Sequence, residues 1–151
     1  MEAALDPRPA GLPVRPTNAT EGADLVSQRS VLIVDGSEEN REVLKAALER
    51  RGCKIYAANR AQRGLELARR HRPSVIVLDL ELSACSPEEF CAPFAREAES
   101  EGTRLVILGS LRRTGGLSAG EFVPKPYHYA PLVRRIEQLL DATGQRYARC
   151  A

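Results

Sequence analysis

Four polar residues close apolar runs in this 151-residue chain, and their types suit phosphate or metal chemistry. Asp35 follows SVLIV, Asp79 stands inside VIVLDLEL, Ser110 follows LVILG, and Lys125 follows EFVP. A carboxylate embedded as Asp79 is costs free energy unless it finds a partner. Two carboxylates brought to one place repel unless a cation or a proton lies between them. Mg²⁺ suits such a pair, because it needs only one or two protein carboxylates and fills its shell with waters and phosphate oxygens. Lys125, held between Pro124 and Pro126, offers a compact positive charge suited to a phosphoryl oxygen. Singly, each residue has a plain structural reading: a strand-end turn for Asp35, a solvated side chain for Lys125. The combination is what carries information.

For the four to meet, the runs that precede them must lie side by side and point the same way. Ser30–Val34 reads as a strand buried on both faces. Ser37 can cap a helix that carries Val43, Leu44, Ala47 and Leu48 and ends at Gly52. Cys53–Ala58 is a second strand, and Ala61, Leu65 and Ala68 mark a second helix that stops before Pro73. Ser74–Leu80 is the third strand. Ser86-Pro87-Glu88-Glu89 supplies cap, first-position proline and capping-box glutamate for a third helix, which Pro93 should kink or break. Arg104–Leu108 and Glu121–Val123 are further strands, and Pro131 begins a last helix with Leu132, Ile136, Leu139 and Leu140 on one face. Strand and helix alternate throughout, which predicts a doubly wound α/β domain on a five-stranded parallel sheet, with binding groups at its carboxyl edge.

Residues 110–121, SLRRTGGLSAGE, are too few for an ordinary helix with two connections, so the fourth helix is expected to be short or absent. The TGGLSAG within them lacks the Lys-Ser/Thr of a phosphate-cradling loop. Residues 1–29 hold Pro7, Pro9, Pro13 and Pro16 and no periodic apolar pattern, which predicts a disordered arm; the domain spans 30–141, and 142–151 form a tail.

A net charge of +2, 5% aromatics and no Trp argue against nucleic acid as a partner. The apolar stretches Val31–Val34 and Val75–Leu78 are far too short to span a membrane, and the first residues lack the pattern of a secretory leader. Four cysteines without a C-x-x-C pair, and only two histidines, argue against zinc and for reduced thiols in the cytoplasm. Arg69-Arg70-His71-Arg72 reads as a solvated helix end favoured by its dipole.

VLIVDGSEENREVL, PSVIVLDLEL and FVPKP followed by LVRRIEQLL resemble, in order and spacing, a bacterial two-component response-regulator receiver domain of the CheY-like, flavodoxin-like kind. The resemblance covers residues 30–141. It implies that Asp79 is the phosphoacceptor of a phosphorelay, charged by a histidine kinase or phosphotransfer protein and acting on a downstream protein that the sequence does not name. It further implies that Asp35, Asp79 and the Glu81 backbone carbonyl hold Mg²⁺, that Lys125 contacts the phosphoryl group across a cis Lys125-Pro126 bond, and that Phe122 is the switch aromatic. Gly36 stands where a second acid belongs, which implies weak Mg²⁺ binding, ~1.5–3 kcal/mol or roughly ten- to a hundredfold. Glu81, or less directly Glu38, could restore that charge. Gly109 stands where a hydroxyl is usual, and Ser110 is the possible substitute. The expectation is a stand-alone receiver that is not an enzyme. A pseudo-receiver that docks partners without phosphorylation remains open, as does an aspartate-nucleophile phosphatase suggested by Asp79-Leu80-Glu81.

Overall fold

The computed structural model describes residues 29–82, 86–110 and 120–150, and side chains only as far as residue 142. The expected arm and the short or missing fourth helix thus lie outside the described residues, apart from Arg29, Ser110, Gly120 and Glu121. In chain order the elements are β1 (Ser30–Val34), α1 (Glu38–Glu49), β2 (Lys54–Ala58), α2 (Ala61–His71), β3 (Val75–Asp79), a 3₁₀ turn (Leu80–Leu82), α3 (Pro87–Glu101), β4 (Arg104–Gly109), β5 (Glu121–Pro124) and α4 (Tyr129–Cys150).

All four strand pairings are parallel, in the order β2-β1-β3-β4-β5. Alternate strand residues serve opposite faces. Val31, Ile33, Val75, Val77, Val106 and Leu108 meet Leu44 and Leu48 of α1 and Leu132, Val133 and Ile136 of α4. Leu32, Val34, Ile76, Leu78 and Ile107 meet Leu67 of α2 and Phe90, Phe94 and Ala98 of α3. Helices therefore cover both faces, which is why the central strands read as unbroken apolar runs.

The caps act where the sequence places them. Ser37 accepts from the Asn40 N–H, and Ser86 accepts from the Glu89 N–H. Gly52 and Gly102 take positive φ at the ends of α1 and α3, and so does Arg72 after α2.

Of the kink or break expected at Pro93, the break does not occur: α3 runs from Pro87 to Glu101 as one helix. A proline inside a helix costs ~3 kcal/mol. Phe90, Cys91, Phe94 and Ala98 lie on both sides of it and are buried as one stripe, an anchoring that outweighs that cost. The last helix starts two residues before Pro131, which sits in the first turn where a missing N–H is harmless. It continues past residue 141 to Cys150, so the segment expected as a tail is helical through Cys150. No helix among the described residues is long and apolar enough to cross a membrane.

Candidate functional site

The parallel register aligns the strand ends. Val34 pairs with Leu78 and Asp79 with Leu108, so Asp35 and Asp79 leave neighbouring strands side by side. Both are buried, Asp35 completely. The chain turns sharply after each. The Ser37 N–H donates to Asp35 Oδ1 at 2.8 Å, and the Glu81 N–H donates to Asp79 Oδ1 at 3.0 Å. The same Asp79 oxygen accepts from Lys125 Nζ at 2.8 Å. Lys125 is brought there by a cis Lys125-Pro126 bond and by its own N–H, which donates to Gly109 O at 2.9 Å.

Burial pushes the Asp35 carboxyl above the usual carboxylate range. The Ser37 N–H opposes that shift, the nearby Asp79 carboxylate and a hydrogen bond shared with it add to it, and Lys125 pulls it back. Two crowded carboxylates and one ammonium are thus one electrostatic unit, as their residue types suggested.

Glu81 is exposed and directs its carboxylate to the rim of β4, where Oε2 accepts from the Ser110 N–H at 3.4 Å. Phe122 pairs with Ile107 and is half-buried against the cluster that contains Leu80 and Phe90. Gly36 and Gly109 differ from the positions the resemblance leads one to expect in what surrounds them. A Cβ at Gly36 would lie 3.0 Å from Leu82 Cδ1, and one at Gly109 would lie 3.1 Å from Leu80 Cδ1 and 3.2 Å from its Cβ. Leucines from the turn after Asp79 pack against both vacated places.

Around Asp35 the structure adds residues that the sequence did not single out. Asn40 Nδ2 donates to Asp35 Oδ2 at 3.4 Å, Arg41 Nη1 donates to Asp35 O at 2.7 Å, and the Tyr129 hydroxyl donates to Asn40 Oδ1. Tyr127 buries its hydroxyl without a partner, and burial, followed by the Asp35 carboxylate, raises its pKa. Asn40, Lys125, Pro126, Tyr127 and Tyr129 line a shallow cleft of about 410 Å³ beside this edge. The only signals were spacing: one turn of helix beyond Asp35, and alternate positions after Lys125.

No group of three or more His, Cys, Asp or Glu that could hold a metal occurs among the described residues. Cys53 and Cys91 are buried free thiols, and burial pushes Cys91 up to about 11, far from a reactive thiolate.

Fold and edge together define a doubly wound α/β domain that gathers two carboxylates and a lysine at the carboxyl ends of its strands. A profile of the response regulator receiver domain matches residues 31–137. The chain belongs to that family and is a receiver domain of two-component signalling. It is 33% identical over 121 residues to the response regulator MprA of Mycobacterium leprae, covering 75% of this chain and 51% of that protein. It is 34% identical over 127 residues to the transcriptional regulatory protein CseB of Streptomyces coelicolor, covering 80% and 53%. The chain thus spans about half the length of these curated relatives. Among solved structures, chemotaxis response regulator CheY4 of Vibrio cholerae superposes with a TM-score of 0.63 at 19% identity, over 74% of this chain and 98% of that one. A receiver-modulated diguanylate cyclase from Pelobacter carbinolicus gives 0.67 at 23%, over 80% and 98%. At such identities these two speak for the fold alone.

Proposed function

We propose that Asp79 accepts a phosphoryl group from a histidine kinase or phosphotransfer protein in the cytoplasm, and that the charged domain then alters its contacts with a downstream protein. The observation that carries this reading is the 2.8 Å contact of Lys125 Nζ with Asp79, beside a fully buried Asp35. Asp79 Oδ1 is held by two donors, which orients the carboxylate while the lone pairs of Oδ2 are used by neither. In the transfer, an Asp79 oxygen–phosphorus bond forms as the phosphorus–nitrogen bond of a phosphohistidine breaks. The imidazole nitrogen leaves with the bonding pair and takes up a proton. Lys125 then offsets the charge of the phosphoryl oxygens.

The donor set fits Mg²⁺: two crowded, buried carboxylates need a cation between them, and one or two are enough for this ion. Asp35 and Asp79, with the Glu81 backbone carbonyl, would hold it. Bound there, it supplies positive charge to the transferring phosphoryl group. The Ser37 N–H and Asn40 fix the Asp35 carboxylate, and Arg41 ties its backbone to α1.

Intact mass after incubation with a small phosphodonor, with and without Mg²⁺, tests this. One Mg²⁺-dependent phosphoryl adduct is expected, absent from Asp79→Asn. The second reading, a receiver that docks partners regardless of phosphorylation, draws on the leucines packed at Gly36 and Gly109. The absence of any adduct at high Mg²⁺, with partner binding intact, would favour it.

A further inference from the structure

The rim of β4 carries an N–H that is already answered by a carboxylate. Ser110 lies two residues beyond Leu108, the register partner of Asp79, and Glu81 lies two residues beyond Asp79 itself. Their meeting therefore takes place just beyond the neighbouring ends of β3 and β4. The Glu81 backbone N–H points down to Asp79 Oδ1, while its side chain reaches across to the Ser110 N–H. Lys125 reaches the same Asp79 oxygen and bonds through its backbone to Gly109, the residue before Ser110. Two donors thus converge on Asp79 Oδ1, and the Ser110 N–H with its carboxylate lies one residue beyond the strand end to which Lys125 is tied.

An anion tethered at that rim has two physical consequences. It satisfies a donor at the end of the strand beside Asp79, and its charge repels an anionic oxygen brought to Asp79. At 3.4 Å the contact is long for a hydrogen bond, and Glu81 is exposed, so it can leave at small cost. A phosphoryl group brings close to two negative charges and strong acceptor oxygens. Gly109 brings no hydroxyl to this rim, and Leu80 packs where one would start. The Ser110 N–H and the carboxylate on it stand where they can respond to charge at the end of β4.

We propose that Glu81 is a gating residue: its carboxylate occupies the Ser110 N–H as a tethered stand-in for the phosphoryl group, and charge on Asp79 expels it, freeing the carboxylate to mark the charged state. The proposal rests on Asp79 being the phosphoacceptor. Substitution of the Glu81 side chain leaves the backbone carbonyl and N–H of residue 81 in place, so the neighbouring contacts stay available.

The test uses the ¹⁵N-labelled 151-residue chain, with beryllofluoride and Mg²⁺ as the phosphoryl probe. Without the probe, Glu81→Ala should move the Ser110 amide resonance towards that of a weaker hydrogen bond and leave strand amides of β1 and β3 unchanged. Glu81→Gln, which keeps an acceptor but no charge, should move it less. With the probe, both variants should bind three- to tenfold more tightly than the parent chain, because no anion has to be displaced. An unmoved Ser110 amide in Glu81→Ala, or equal probe affinity in all three chains, overturns the gate. If the parent chain and both variants fail to bind the probe, the phosphoacceptor reading itself falls and the gate falls with it. That outcome is told apart by a Ser110 amide that still responds to Glu81→Ala.

Discussion

Gly36→Asp puts back the carboxylate that the pocket lacks, and the structure sets both its gain and its cost. A further charge contact with Mg²⁺ contributes ~1.5–3 kcal/mol. Against that, the new Cβ would lie 3.0 Å from Leu82 Cδ1, so Leu82 must turn partly off its rotamer or move aside. A displacement of that kind costs about 0.5–1.5 kcal/mol. Gly36 is not among the positive-φ glycines, so its backbone adds no penalty. The net gain is about 1–2 kcal/mol, or roughly five- to thirtyfold in Mg²⁺ affinity. Calorimetric Mg²⁺ titration of the parent, Gly36→Asp, Leu82→Ala and the double variant measures it. Because the removed leucine no longer opposes the carboxylate, the double variant should bind more tightly than Gly36→Asp alone. Thermal melts should agree: in chelator, Gly36→Asp should melt below the parent chain, since three carboxylates now crowd one place. At saturating Mg²⁺ the order should reverse. Unchanged or weaker Mg²⁺ binding in both Gly36→Asp chains would refute the reasoning, for it would mean that the vacated place does not face the ion.

Asp35→Asn removes a buried carboxylate whose pKa is raised chiefly by burial. A raised folded-state pKa gives stability that is present below the unfolded value of 3.8 and is lost as pH rises through the folded one. In chelator the parent chain should therefore lose stability on going from about pH 4 to neutrality, while Asp35→Asn loses less over the same range; urea melts across that range read the difference. Pro93→Ala restores an N–H within α3 and should stabilise the domain by about 1–3 kcal/mol, seen as a higher melting temperature.

Much of this protein could be read from its sequence. Apolar runs alternating with amphipathic segments point to a parallel, doubly wound sheet, because the runs that became β1, β3 and β4 are buried on both faces and a parallel pair needs a crossover. Once the runs are parallel, Asp35, Asp79 and Lys125 must come to one edge, and they do. Ser37 and Ser86 were legible as caps because a local side chain answers a local N–H.

The tertiary structure decided what depends on residues distant in sequence. The continuity of α3 through Pro93 rests on Phe90 and Phe94 finding the sheet, a contact between segments distant along the chain. The two missing side chains at 36 and 109 could be named, but that Leu82 and Leu80 pack there depends on how the turn after Asp79 closes. Asn40, Tyr127 and Tyr129 join the site only because α1 and the start of α4 pack on the same face of the sheet. Glu81 could be foreseen near Asp79, whereas its hold on the Ser110 N–H comes from β3 and β4 being neighbours in register. Local chemistry and periodicity are written along the chain; the occupancy of a vacated space is set by whichever side chain the packed fold brings to it.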